Sequence, residues 1–135
     1  MINYWLLKSE PNTWSWQDQV KEGPSMWDGV RNYQARNNLM KMQNGDLCFF
    51  YHSVNEKSIV GIVRVVKEYY KDPTDKTGKF VVVDVKAIKK LKKAVTLEEI
   101  KKNSRLHEIA LIKQSRLSVM PLKKIEWNEI LKMSK

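Results

Sequence analysis

Trp27-Asp28-Gly29-Val30-Arg31-Asn32-Tyr33-Gln34-Ala35-Arg36-Asn37 places an indole, an Asp-Gly corner, two guanidinium groups, three side-chain amides and a phenol in eleven consecutive positions. Val30 and Ala35 are its apolar interruptions. A segment that only filled a core would not carry so many directional hydrogen-bonding groups. One that only solvated a surface would use Lys and Glu, which are abundant elsewhere in the chain. The segment is therefore expected to form one wall of a recognition pocket. Helical spacing divides it. A helix from about Asn32 to Met42 sets Ala35, Leu39 and Met42 on one inward face, and Tyr33, Arg36 and Met40 on the face beside it.

Upstream, Asn3 to Lys8 is rich in aromatic and aliphatic residues and predicts a buried strand. Ser9-Glu10-Pro11 ends it, since proline offers no ladder donor. Ser15 and Asp18 form an acidic capping box that opens a helix through about Lys21, and Gly23-Pro24-Ser25 breaks the chain again. Downstream, Asn44-Gly45-Asp46 is a turn signal. Leu47 to His52 and Ile59 to Lys67 read as the two strands of a hairpin. Gly61 inside the second strand predicts a bulge or a close backbone approach. Tyr69 to Lys79 reads as a loop, and Phe80 to Ala87, with an extension towards Leu91, as another strand. Thr96-Leu97-Glu98-Glu99 caps a short helix. A further helix is expected over Leu106 to Ile112, and a short strand over Arg116 to Val119, stopped by Met120-Pro121. Ile125 to Met133 predicts a closing amphipathic helix with Ile125, Ile130 and Met133 turned inward. Five or six strands interleaved with short helices predict one α+β domain over residues 1–135, built as a curled sheet or partial β-barrel.

At 135 residues and 42% hydrophobic composition, the chain is long enough to close a core. Met1 to Leu7 is too short for a secretory leader and runs into Lys8-Ser9-Glu10. The longest apolar runs are broken by Gly61, Arg64 and Asp84, far short of the roughly 20 residues that span a bilayer, so no membrane partner is expected. The single Cys48 allows no internal disulfide and fits a reducing interior, which makes the cytoplasm the expected compartment.

The net charge is +10 and unevenly placed. Met1 to Glu56 holds five basic and six acidic residues, a net of −1, whereas Lys57 to Lys135 holds twenty basic and nine acidic, a net of +11. One-sided positive charge is the electrostatic footprint of a polyanion binder. A merely solvated lysine-rich surface is the alternative.

His52 and His107 are isolated, and one cysteine cannot supply zinc-ligand spacing, so no metal is expected. No phosphate-cradling or dinucleotide glycine pattern occurs among the five glycines, so no cofactor is expected. His52 and Ser53 are neighbours on a strand and point to opposite faces, which argues against a direct nucleophile–base couple. His52 is either a hydrogen-bonding pocket residue or a satisfied structural one. Lys8 and Glu10 leave the first strand together, as a salt bridge or an acid–base pair. Trp5, Trp14, Trp16 and Trp127 are expected as core or helix-packing residues rather than ligand contacts. Trp27, beside the glycine corner, is expected to offer an indole face to a planar ring, a contact worth roughly 1–3 kcal/mol per base.

Tyr4-Trp5-Leu6-Leu7-Lys8-Ser9-Glu10-Pro11, the stretch from Trp27 to Asn37, Gly45-Asp46-Leu47 and Phe50-Tyr51-His52-Ser53 together resemble the EVE domain. Ile59-Val60-Gly61-Ile62-Val63, Asp72-Pro73, Arg116-Leu117-Ser118-Val119 and Glu126-Trp127 extend the resemblance, in order, over essentially the whole chain. Lys67 to Ser115 matches less closely and holds the lysine excess. The resemblance implies a PUA-like fold, related to the PUA, YTH and ASCH domains, and a nucleic-acid partner whose modified base is read in a pocket. The base would be a modified cytosine in DNA or a modified base in RNA. On that analogy Trp27 and Tyr51 offer aromatic surfaces. Ser9, Asn32, Ser53 and Ser118 are candidates for the base edge, with Tyr33 and His52 also in the base-binding set. Lys8, Arg31, Arg36 and Arg116 are candidates for phosphate contacts or for buttressing the pocket. No catalytic residue is implied. The alternatives are a small hydrolase acting on a modified nucleobase, suggested by the ASCH relatives and the Lys8–Glu10 pair, and an adaptor whose basic face binds an acidic protein.

Overall fold

Successive residues of an extended strand point to opposite faces, and Phe49 and Phe50 on strand β3 (Leu47–His52) show what each face of the sheet buries. Phe49 stacks on Trp127 of the last helix at 3.8 Å between ring centroids. Phe50 meets Trp16 and Trp27 edge-on, each at 5.4 Å. Both phenylalanines are completely buried. The apolar sequence of β3 is thus a strand covered on both sides.

The computed structural model describes residues 1–135. β3 pairs in parallel with β1 (Tyr4–Ser9), with Leu6 opposite Phe49 and Leu7 opposite Phe50. It pairs antiparallel with β4 (Ser58–Lys71), which pairs antiparallel with β5 (Val81–Thr96). The short β2 (Ser25–Met26) adds to β5 at one edge, and β6 (Val119–Leu122) adds to β1 at the other, giving the order β2-β5-β4-β3-β1-β6. Between β4 and β5 the register slips at four places. Bulges of this kind bend strands and increase their twist. The result is the curled α+β sheet with short helices that the sequence predicts, open at β2 and β6 rather than closed into a barrel.

Local sequence explains the helices. α1 (Trp16–Glu22) starts at Ser15, whose side chain accepts from Asp18 N–H while the Asp18 carboxylate accepts from Ser15 N–H. α2 (Tyr33–Lys41) starts at Asn32, whose side chain accepts from Ala35 N–H at 2.9 Å. Ala35, Leu39 and Met42 are buried, while Tyr33 and Met40 stay exposed, as the spacing predicts. α3 (Leu97–Lys102) carries the Thr96–Glu99 capping box.

Four expectations change. β4 and β5 run on to 14 and 16 residues, well past Lys67 and Leu91, because every lysine in the β5 extension is exposed and only Leu91 and Val95 turn inward. The helix expected over Leu106 to Ile112 divides into a 3-10 turn at Ser104–Leu106 and the short α4 (Ala110–Lys113). Asn103 caps that turn by accepting from Arg105 N–H, so Leu106 ends an element instead of starting one. The last strand lies three residues later than expected and contains Pro121. An edge strand tolerates proline because one side of it lacks a ladder partner. In α5 (Lys124–Met133), Ile125 is 71% exposed, and Trp127 with Ile130 supplies the contact with the sheet.

Gly61 bears out both readings of its position. The β3–β4 and β4–β5 registers shift beside it, and a Cβ there would lie 2.5 Å from the Trp16 ring. Its missing side chain is the space that Trp16 occupies, which lets α1 lie against the sheet.

Candidate ligand pocket

Where β1 ends, the chain turns tightly: Thr13 and Trp14 N–H groups both donate to the Glu10 carbonyl, at 2.9 and 2.8 Å. The Ser9 hydroxyl donates to the Trp14 carbonyl, which ties the turn back to the strand. On the far side of α1, β2 leads into Trp27, whose backbone N–H donates to the Val83 carbonyl at 2.8 Å. Between these two segments lies a cavity of about 730 Å³. Lys8, Ser9, Glu10, Thr13 and Trp14 line one part of it, and Glu22, Ser25, Met26, Trp27, Asp28 and Gly29 the rest.

Its walls are held by groups just outside it. Gly29 has a φ of 79°, a left-handed conformation natural to glycine. Its N–H donates to the Asp72 carboxylate at 3.1 Å. Asp72 also accepts from Arg31 at 3.0 Å and from the backbone and hydroxyl of Thr74. Burial of this carboxylate acts to raise its pKa, but the hydrogen bonds from Thr74, Arg31 and Gly29 together outweigh it and hold the group below the usual carboxylate value. In the opposite wall, Lys8 donates from Nζ to the Ser115 carbonyl at 2.7 Å and from its backbone to the Ser118 carbonyl at 2.9 Å. Its ammonium lies 5.9 Å from the Tyr51 ring centroid. Half-burial pushes the Lys8 pKa down.

Of the residues singled out by sequence, the cavity brings together Lys8, Ser9, Glu10 and Trp27. Trp27 is 7% exposed, because part of its ring packs against Phe50. Tyr51, His52 and Ser53 lie on or beyond β3, next to β1, with Tyr51 paired to Lys8 and His52 to Ser9. Tyr51 is buried, and that burial pushes its phenol up to about 12. Both ring nitrogens of His52 are engaged: Nε2 accepts from Trp16 N–H at 3.0 Å, and Nδ1 faces the Glu56 carboxylate at 2.7 Å. A backbone N–H only donates, so Nε2 carries the lone pair and Nδ1 the proton. The Ser53 hydroxyl donates to the Ser9 carbonyl at 3.3 Å.

The other candidates lie elsewhere. Asn32 caps α2, and with Arg116 it lines a second, shallower cavity of about 300 Å³. Ser118 contributes its backbone to β1. Arg31, Phe80, Tyr33 and Arg36 form an alternating stack: Arg31 is 5.6 Å from the Phe80 ring, Tyr33 5.1 Å from Phe80, and Arg36 4.8 Å from Tyr33. These side chains brace one another and the Lys79–Phe80 segment.

The sequence alone predicts Trp14 as a core or helix-packing residue and gives Ser25 and Gln19 no role. Trp14 is half-buried at the cavity, one residue before the helix cap. Gln19 is completely buried beneath it. A signal for Gln19 was present, since it falls three residues after Trp16 on the inward face of α1. A glutamine there needs polar partners.

The cavity combines indole surface with hydroxyls, one ammonium and the carboxylates of Glu10, Glu22 and Asp28. None of those three carboxylates is in an ion pair; the Lys8 ammonium donates to Ser115 rather than to Glu10. A flat ring with hydrogen-bonding edges suits such walls.

The chain is also similar to known proteins over nearly its whole length. The model of the EVE domain matches residues 3–133. Thymocyte nuclear protein 1 of Mus musculus is 36% identical, over 98% of this chain and 74% of that protein. Rpa0253 of Rhodopseudomonas palustris, solved by NMR, is 50% identical with a TM-score of 0.93, over 98% of this chain and 93% of that one. The crystal structure of human THYN1 in complex with DNA containing 5-methylcytosine is 32% identical, with a TM-score of 0.87 over 98% of each chain.

Proposed function

This chain belongs to the EVE domain family, and from that premise we propose that it binds nucleic acid without catalysis and receives a modified nucleobase in the cavity between Ser9–Trp14 and Ser25–Gly29. One observation carries the reading: the cavity sets two indoles, Trp14 and Trp27, beside hydroxyls and unpaired carboxylates. Stacking on aromatic side chains is worth roughly 1–3 kcal/mol per base. Extruding a base from a duplex costs a few kcal/mol, so stacking and edge hydrogen bonds must together offset it. Carboxylates accept hydrogen bonds from exocyclic amines such as cytosine N4. Glu10, Glu22 and Asp28 therefore favour an amino-bearing base over thymine or uracil. Human THYN1 was crystallised with 5-methylcytosine DNA, and its similarity to this chain makes modified cytosine in DNA the first ligand to try, with a modified base in RNA next.

Because like charges repel, these carboxylates favour a binding mode with the phosphates outside the cavity. The exposed lysines of β5, Lys86, Lys89, Lys90, Lys92 and Lys93, are the natural source of backbone attraction. The test is a titration of labelled oligonucleotides that differ only in carrying cytosine, 5-methylcytosine, 5-hydroxymethylcytosine or a modified adenine at one position. Preference for one modified base is expected. Equal affinity for all, with a steep salt dependence, defeats the proposal and leaves a nonspecific polyanion binder. The hydrolase alternative draws on the depressed pKa of Lys8 in the same cavity as Glu10; release of the acyl group from acylated cytidine above the buffer rate would favour it.

A further inference from the structure

Gln19 is 0% exposed and lies just outside the cavity lining. Burying an amide is costly unless its donors and acceptor are satisfied, and here two cavity-wall side chains and two backbone carbonyls satisfy them. The Trp14 indole N–H donates to Gln19 Oε1 at 2.9 Å. Gln19 Nε2 donates to Ser25 Oγ at 2.9 Å, to the Gly23 carbonyl at 3.0 Å and, more weakly, to the Val85 carbonyl at 3.3 Å. An indole N–H can only donate, so the amide oxygen has to face Trp14 and the amide nitrogen has to face Ser25. The orientation of the amide is therefore fixed by its neighbours.

That orientation dictates the polarity of a hydroxyl. An amide nitrogen does not accept hydrogen bonds, so Ser25 Oγ is the acceptor of the Gln19 bond and its own proton points elsewhere. Ser25 lines the cavity, and Oγ enters the protein's hydrogen bonds only as this acceptor. We infer that Gln19 is a positioning residue that turns Ser25 into a hydrogen-bond donor for a carbonyl or ring-nitrogen acceptor on the bound base, while holding Trp14 as an aromatic wall. The inference rests on the base-reading role proposed for this cavity. It adds which edge of the ligand Ser25 meets and which residue sets that choice. One buried side chain thus joins the segment before α1 to the segment after it.

The experiment measures binding of two labelled single strands, identical except that one carries 5-methylcytosine and the other an abasic site at the same position. Their affinity ratio reports occupation of the cavity apart from backbone attraction. Ser25→Ala is expected to lower the ratio about tenfold, the scale of one hydrogen bond. Ser25→Thr keeps the hydroxyl and is expected to retain the ratio. Gln19→Met, similar in length but without the amide, is expected to lower it by about as much as Ser25→Ala, and the double variant by no more than either alone. Should Gln19→Met fail to fold, Gln19→Glu tests the same link by keeping the acceptor for Trp14 and removing the donor to Ser25, whose proton then turns to the new carboxylate; a reduced ratio is again expected. A wild-type ratio of one defeats the base-reading role itself, and the Ser25 donor with it. A wild-type preference that survives Ser25→Ala overturns the donor alone. Loss in Ser25→Ala with an unchanged ratio in Gln19→Met, or in Gln19→Glu where that variant is used, overturns the positioning role alone, as does full additivity in the double variant.

Discussion

Asp72 stands outside the cavity yet decides the path of its wall, because its fully buried side chain accepts from Gly29, Arg31 and Thr74 at once. Removing it leaves those donors unpaired, so Asp72→Ala is expected to cost about 2–4 kcal/mol in urea denaturation. The pH dependence has a defined sign. The folded pKa of Asp72 is held below its unfolded value, so its contribution is complete above the unfolded value of about 4 and is lost as the pH falls through the folded value. Wild-type stability minus Asp72→Asn stability should accordingly shrink on acidification through that window. A difference that stays constant there would show that the ionised carboxylate is not what holds the wall. At Trp27 the packing and binding roles separate by substitution. Trp27→Phe keeps an aromatic contact with Phe50 while reducing the ring surface available to a base. It is expected to lose most of the discrimination among modified bases in the oligonucleotide titration while remaining folded by circular dichroism.

Trp16 on α1 and Gly61 on β4 are paired across elements, and the cavity depends on that fit because α1 links its two walls. Gly61→Ala would bring a methyl within 2.5 Å of the Trp16 ring. Overpacking of this kind typically costs about 1–3 kcal/mol. The expected outcome is a lowered urea midpoint together with weaker base discrimination, since α1 must shift to admit the methyl. α5 offers a plainer contrast. Ile130 is buried and Ile125 is 71% exposed, so Ile130→Ala should cost about 2–5 kcal/mol and Ile125→Ala under about 0.5 kcal/mol by the same denaturation measurement. Sequence periodicity revealed α2, α1 and its capping box, and the β3–β4 hairpin, because each has a local cause in side-chain spacing or a cap. It misplaced β6 and divided α5 wrongly, because tolerance of Pro121 and exposure of Ile125 depend on which strand is an edge and which helix face meets Phe49. Neither fact is local. The cavity was half legible for the same reason. Lys8, Ser9 and Trp27 announced themselves by motif, while Trp14, Gln19 and Ser25 acquire their roles only when the turn after β1 comes back against β2.

Across the whole molecule, the proposed reading divides the work between the net charge of +10, which would supply attraction, and the acidic lining of the cavity, which would supply choice. Lys92, exposed on the long β5, belongs to the attraction side. Lys92→Ala is expected to weaken binding to every oligonucleotide by a similar factor and to reduce the slope of log K against log salt by about 1, with the preference among bases unchanged. A changed preference would place Lys92 at the base instead. The sheet has a further consequence, for the order in which the chain can fold. β1 lies between β3 and β6, with Leu6 opposite both Phe49 and Met120. Its second neighbour is separated from it by most of the sequence, and contacts of such long range form slowly because a large loop must close first. During synthesis β1 must wait with one edge unpaired until β6 has emerged, while the β4–β5 ribbon can form from its own segment alone. The N-terminal strand is therefore the part of this fold most exposed to premature association, and the β4–β5 ribbon the part best placed to nucleate it.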